Sequence, residues 1–312
     1  MQFIKLGRTG LDVSVAGLGC GGYSRLGLGT GHDHAHARRV VDAALELGIN
    51  FIDTARAYGT ERVVGEAIRG RRDKVVLSTK AAPGWDDQLL TAEGLRASVE
   101  ESLVRLGTDY VDILHLHGVL PGHYPHCVNE LLPELERLRD AGKIRFLGIT
   151  ERFANDTGHG MLTRALQDDH FDVMMVGFNL LNPSARRSVF PLTRDARVGT
   201  LVMFAVRRAL TSPERVREAV AGLAAAGAID PNRIDPDDPL GFVTDDPGVA
   251  SLVQAAYRFC RHEPGAHVIL TGTGSIAHLR ENVASILAPP LPAEIRDRLE
   301  AIFGGVDSVS GD

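Results

Sequence analysis

Short apolar runs alternate strictly with amphipathic stretches along this chain, and the alternation repeats eight times. The runs lie near Val15–Leu18, Phe51–Asp53, Val75–Thr79, Val111–Leu116, Phe146–Thr150, Val173–Val176, Thr200–Phe204 and His267–Thr271. Helical patterns fall between and after them, near His36–Leu47, Glu61–Arg69, Gly94–Leu106, Asn129–Ala141, Gly160–Gln167, Ala185–Arg194, Val249–Arg261 and Ile276–Leu287. Strict strand–helix alternation implies a parallel sheet, and eight such units are the number that closes into a ring. The expected fold class is therefore α/β, a (β/α)8 TIM barrel, with residues 1–312 forming one barrel domain. Two additions are expected. Phe3-Ile4-Lys5 and Val13-Ser14-Val15 flank a turn at Gly7-Arg8-Thr9-Gly10 and read as an N-terminal hairpin. After strand seven, a long insertion spans Val206–Gly248, with a helix at Pro213–Ala226 and an Asp/Pro-rich run at Ile229–Pro247. Insertions of that length usually form a lid or an irregular excursion.

Composition narrows the partners. The net charge of −6 argues against nucleic acid, whose phosphates need a basic surface. Three widely spaced cysteines, Cys20, Cys127 and Cys260, imply no disulfide framework and fit a reducing compartment. The first residues open no long apolar run, and no stretch approaches the ~20 apolar residues of a membrane span. A cytoplasmic protein acting on a small molecule, without a nucleic acid or membrane partner, is the expectation.

In such a barrel the active site gathers where the strands end. Strand two ends in Asp53, strand three runs into Lys80, and strand four runs into His117; Tyr58 follows Asp53 after a short turn. A lysine, a carboxylate, a tyrosine and a histidine should therefore converge on one rim. A tyrosine near pKa 10 is a poor acid at neutral pH. A cation beside it favours the phenolate, and a carboxylate behind the lysine keeps that lysine charged. Such a tyrosine can exchange a proton with a carbonyl oxygen while a neutral imidazole orients the substrate. His115 and His117 are two apart and share a face of their strand, so spacing alone does not choose between them.

Other polar clusters invite a metal reading. His32-Asp33-His34-Ala35-His36 opens a helix, where Asp33 suits the N-terminal dipole and solvated histidines are the expectation. His123, His126 and Cys127 lie on the loop after strand four, where a solvated loop is the expectation. No metal ligands are assigned. Tyr23 and Trp85 follow strands one and three at the rim and are expected to line the substrate pocket.

The motifs resemble those of the aldo-keto reductases. Leu6-Gly7-Arg8-Thr9-Gly10, Gly48-Ile49-Asn50-Phe51-Ile52-Asp53-Thr54-Ala55 with Tyr58-Gly59, and Asp109-Tyr110-Val111-Asp112 leading to His117 all match. So do Gly142-Lys143-Ile144-Arg145, Asn179-Leu180-Leu181-Asn182-Pro183, and Thr271-Gly272-Thr273-Gly274-Ser275 with His278-Leu279-Arg280-Glu281-Asn282. The resemblance covers essentially the whole chain. It implies a catalytic tetrad of Asp53, Tyr58, Lys80 and His117, with Tyr58 as general acid/base in hydride transfer between a nicotinamide and a carbonyl–alcohol pair. His117 is then the catalytic histidine, with His115 one layer deeper. His117 and His123 would also face the substrate.

The same resemblance places the cofactor. Gly21 and Gly22 let it approach and Asp53 borders it. Thr150, Glu151 and Met175 stand where relatives hold the nicotinamide amide with Ser, Asn and Gln; Met175 has no donor and Glu151 no amide N–H₂. Phe204 stands where an aromatic stacks on the nicotinamide. Thr271, Gly272, Thr273, Gly274 and Ser275 match the phosphate-holding turn, and Glu281 and Asn282 match adenine contacts. Gly272 and His278 replace a Lys and an Arg common in NADP-preferring relatives, which weakens a 2′-phosphate site. Either NAD or NADP is implied, and these two replacements favour NAD. A looser likeness at Gly148-Ile149-Thr150 points to the sugar-oxidising aldose dehydrogenase branch. Two alternatives stand beside this dehydrogenase or reductase reading. One is a metal-dependent barrel hydrolase, against which the last strand lacks an Asp; the other is a non-catalytic nucleotide-binding regulatory subunit.

Overall fold

The computed structural model describes residues 1–85 and 88–312, with Trp85 described by its backbone alone. Eight parallel strands close into a barrel: β1 Ala16–Gly19, β2 Phe51–Asp53, β3 Val76–Ala81, β4 Val111–Val119, β5 Ile144–Glu151, β6 Val173–Gly177, β7 Gly199–Met203 and β8 Val268–Thr271. Closure is made by β8 on β1, with Ile269 opposite Ala16 and Leu270 opposite Gly17. The expected barrel is the observed one.

The strands alternate their side chains between the helices outside and the barrel interior. The lower interior is an apolar plug of Phe51, Val76, Ile113, Val173, Met175, Leu201 and Val268, joined by Leu6 and Val13 of the hairpin. That hairpin pairs Phe3–Lys5 with Asp12–Ser14. Its turn is fastened beneath the barrel by Arg8, which bonds Asp172 at 3.1 Å, Asp169 at 2.6 Å and the Phe171 carbonyl at 2.9 Å. Going up the same faces, the next interior residues on β2, β3 and β4 are Asp53, Ser78 with Lys80, and His115 with His117. The polar layer thus rests on a closed apolar floor.

Helix starts are set by short polar side chains that accept an otherwise unbonded backbone N–H, each worth about 1 kcal/mol. Asp33 accepts from His36 at the start of His34–Glu46, and Thr91 from Gly94 at the start of Ala92–Leu106. Ser251 and Ser275 cap Leu252–Arg261 and Ile276–Leu287 in the same way.

Four features depart from the sequence reading. The pattern at 185–194 is split into Ala185–Ser188 and Phe190–Asp195, because Pro191 has no N–H to continue the first helix. The helix ending at Asp140 begins with a π turn over Cys127–Leu131. An extra helix, Ala293–Phe303, follows the eighth unit. The insertion is a packed element: Val216, Val220, Leu223, Ile229, Leu240 and Val243 are buried. It docks on that last helix, with Arg233 donating to the Ala301 carbonyl at 2.8 Å and Arg298 lying 4.0 Å from the Phe242 ring centre.

Candidate active site

The β2–β4 ends bring the four expected residues together. Lys80 and Asp53 are buried, and the Lys80 ammonium donates to Asp53 Oδ2 at 2.5 Å and to the Thr54 carbonyl at 2.9 Å. Ser78, two residues before Lys80 on the same face of β3, donates to Asp53 Oδ1 at 2.9 Å. Both carboxylate oxygens are therefore fixed. Tyr58 sits on the short turn Arg56–Tyr58 after β2, its ring centre 4.8 Å from Lys80 Nζ. Its hydroxyl is 3.3 Å from His117 Nε2, and the two rings meet edge to face at 5.5 Å. On the other side the Tyr58 ring rests on Gly21, where a Cβ would come within 2.6 Å of it. Gly21 is thus needed by the tyrosine itself.

The electrostatics follow from burial and from one lysine. Burial pulls the Lys80 ammonium down, but Asp53 and Tyr58 beside it more than offset that, and it lies above the ordinary lysine value. Burial pushes the Asp53 carboxyl up, against the pull of Lys80. The Tyr58 hydroxyl is also raised: burial outweighs the lowering by Lys80. This corrects the expectation that the nearby cation leaves the tyrosine more acidic than usual. Burial, Lys80 and Arg152 lower His117 to about 3, so its imidazole is neutral at working pH, as expected.

His115 lies one layer below, level with Lys80 on β3 and Gly148 on β5. Its ring fills the space a Cβ on Gly148 would take, at 2.2 Å. It is fully buried, neither ring nitrogen has a hydrogen-bond partner among the described residues, and burial pulls it well below the ordinary histidine value.

Apart from Gly21, Gly22 and Asp53 at the β1 and β2 ends, the residues expected at a cofactor lie on β5–β8 and just beyond them. Thr150 is buried and accepts from the Gly118 N–H at 2.7 Å. Glu151 turns the other way. Its carboxylate bonds His159 Nδ1 at 2.9 Å and accepts the Gly177 N–H at 2.7 Å, while His159 Nε2 meets Ser184 Oγ at 2.9 Å. Burial raises Glu151, against the opposing effect of His159. Nothing in the sequence signals this pairing, because His159 comes from an irregular loop at a left-handed backbone angle. Met175 packs in the apolar plug, 4% exposed.

Phe204, just past β7, has its ring centre 3.9 Å from the Arg207 guanidinium and 5.7 Å from that of Phe153. Beyond β8, Gly272 is exposed, and Thr273 Oγ1 accepts from the Ser275 N–H at 3.0 Å. Ser275 caps the next helix. His278 and Glu281 are exposed, while Asn282 donates to Thr271 Oγ1 at 2.9 Å. Gly274 is clasped from outside: its carbonyl bonds His36 Nε2 at 2.6 Å, with His32 stacked 4.0 Å behind. Those histidines are therefore more than a solvated face. Gly22 adopts a left-handed angle next to Gly21.

Of the expected substrate residues, Tyr23 is 87% exposed and His123 is half-buried on the turn after β4, while the Trp85 side chain lies outside the described residues. His126 bonds the Leu90 carbonyl at 2.8 Å.

A tyrosine over a buried Lys–Asp pair, beside a neutral histidine at the mouth of a parallel barrel, suits carbonyl chemistry. The sequence pattern of the aldo/keto reductase family matches residues 17–303. The chain belongs to that family. It is 38% identical over 156 residues to L-galactose dehydrogenase of Arabidopsis thaliana, covering 48% of each chain. It is 31% identical over 253 residues to the NADH-specific methylglyoxal reductase of Escherichia coli, covering 73% of this chain and 74% of that one. The holo form of the aldo-keto reductase AKR11C1 from Bacillus halodurans superposes with a TM-score of 0.72 at 28% identity, over 96% of this chain and 95% of that one. Family members are oxidoreductases of carbonyl substrates.

Proposed function

We propose that this family member is an NAD(P)-dependent oxidoreductase that interconverts a small aldehyde, ketone or sugar with its alcohol, Tyr58 being the general acid/base. The observation that carries the reading is the Tyr58 hydroxyl 3.3 Å from His117 Nε2, over a lysine whose carboxylate partner is fixed at both oxygens. A bound reduced nicotinamide supplies the hydride to the carbonyl carbon. Tyr58 donates its proton to the carbonyl oxygen as charge develops there, so the carbonyl leaves as an alcohol. Lys80, held charged by Asp53, stabilises the phenolate that remains. His117 is neutral, and its Nε2 is placed to orient the carbonyl beside the Tyr58 hydroxyl.

The chain's own groups suit a dinucleotide. The exposed Gly272 and the capped helix start at Ser275 favour phosphate oxygens, and Phe204 offers a ring for the nicotinamide. The amide end differs from the family pattern: with Glu151 bonded to His159 and Gly177, the Thr150 hydroxyl is the side-chain donor left on β5. The absence of permanent cations at Gly272 and His278 supports NAD over NADP, as does the likeness to an NADH-specific relative. The likeness to L-galactose dehydrogenase supports a hydroxylated substrate.

Titration with NADH and NADPH by calorimetry tests the cofactor. NADH should bind at least about tenfold tighter, the size of one lost Arg–phosphate pair; tighter NADPH binding would overturn the preference. The acid also predicts a pH profile. A raised tyrosine keeps its proton to higher pH, so kcat for reduction should stay flat through neutrality and fall only above the ordinary value of 10.0, while oxidation should rise with pH. His117, protonated only near pH 3, should add no acid limb between about pH 5 and 9. A reduction limb near neutrality would contradict this assignment.

A further inference from the structure

Phe204 holds a backbone angle that few aromatic residues adopt. Its φ is +69°, in the left-handed region. For a non-glycine residue this angle is strained and persists only where surrounding contacts over-determine it. Those contacts come from far along the chain. The Arg207 guanidinium covers one face of the ring at 3.9 Å, and Arg207 is itself ion-paired with Asp312. The last residues run back over the β6 and β7 loops to make that pair. The Val309 carbonyl accepts from Asn182 Nδ2 at 2.7 Å, the Ser310 carbonyl from Asn179 Nδ2 at 3.1 Å, and the Gly311 carbonyl from the Ala209 N–H at 3.0 Å.

Phe204 is also held through the core. Phe153 meets it at a 55° tilt and stacks on His159 at 15°, with ring centres 5.3 Å apart. His159 is fixed by Glu151 and Ser184, and Ser184 Oγ bonds Asn182 Oδ1 at 2.6 Å. Asn182 leads back to Val309. The contacts form a closed circuit around the β5–β7 rim, and the strained aromatic is one of its members.

We propose that Arg207 and Asp312, with the segment 306–312 that carries Asp312, are positioning residues that hold the Phe204 ring as the platform on which a nicotinamide stacks. The guanidinium covers one face, and the nicotinamide would stack on the part of the ring that Arg207 and Phe153 leave uncovered. The proposal rests on the dinucleotide reading above. A partly exposed Arg–Asp pair contributes little to overall stability, so its purpose is local.

The test compares two ligands on folded variants. NADH carries the nicotinamide ring, whereas ADP-ribose has the same adenosine and phosphates without it. Arg207→Leu and Asp312→Asn should each weaken NADH about tenfold, the size of releasing the strained ring, and should leave ADP-ribose affinity within about twofold. Asp312→Glu, which keeps the charge, should bind NADH as the native chain does. Equal losses for both ligands would overturn the proposal, since the segment would then be supporting the phosphates or the barrel in general. So would unchanged NADH affinity in both variants. If the native chain bound neither ligand, the dinucleotide reading itself would fall, and that result differs from every outcome above.

Discussion

Tyr58→Phe should lower turnover of any carbonyl substrate by about a thousand-fold, within the range that loss of a general acid/base produces, while dinucleotide affinity stays at the native value. The substitution removes one oxygen and keeps the ring that rests on Gly21 and lies over Lys80. Packing is preserved, so the loss reports on the hydroxyl alone. Single-turnover mixing of enzyme, reduced dinucleotide and aldehyde would measure the chemical step apart from product release. A variant that kept native turnover would remove Tyr58 from the mechanism and leave His117 as the acid. That outcome would be hard to reconcile with an imidazole protonated only near pH 3.

Lys80→Met should lose both turnover and stability, for separable reasons. The methionine fills the volume but leaves the Asp53 carboxyl buried with Ser78 as its remaining side-chain partner. Breaking one side of a buried pair costs about 3–5 kcal/mol, because the other charge stays behind without compensation. Thermal unfolding should therefore fall by several degrees. Adding Asp53→Asn removes the stranded charge and should recover much of that stability. Turnover should stay low in the double variant, because nothing then stabilises the Tyr58 phenolate. Recovery of activity together with stability would mean that the pair serves only the fold.

Much of this was legible in the sequence because barrel geometry converts position into chemistry. Asp53, Lys80 and His117 each stand at the end of an apolar run, and the ends of neighbouring strands meet at one rim. Ser78 was legible by the same rule and was missed, though it lies two residues before Lys80 on the same face. The sign of the Tyr58 shift was not legible, since it depends on how deeply the ring is buried against how close Lys80 comes. Glu151 illustrates a different limit. Its position matches a cofactor contact, but its carboxylate follows His159, which a loop delivers from eight residues away. The helix Ala293–Phe303 lay beyond the eight repeats that organised the reading. The ordered insertion was obscured because its Asp/Pro-rich surface hides the few apolar residues that anchor it.

Ring closure between β8 and β1 has a consequence for how the molecule divides its labour. Asp53, Tyr58, Lys80 and His117 all lie in the first four strand–helix units, whereas Phe204 and the turn at Gly272–Ser275 lie in the last four and the strap at Asp312 follows them. Within the barrel sheet, the half proposed to handle the proton and the half proposed to cradle the nucleotide meet at two strand pairings, β4 on β5 and β8 on β1. Gene segments exchanged at those seams could alter nucleotide choice while leaving the acid–base centre intact. On this reading neither half is a complete machine, since the first lacks the aromatic platform and the phosphate-holding turn and the second lacks the acid.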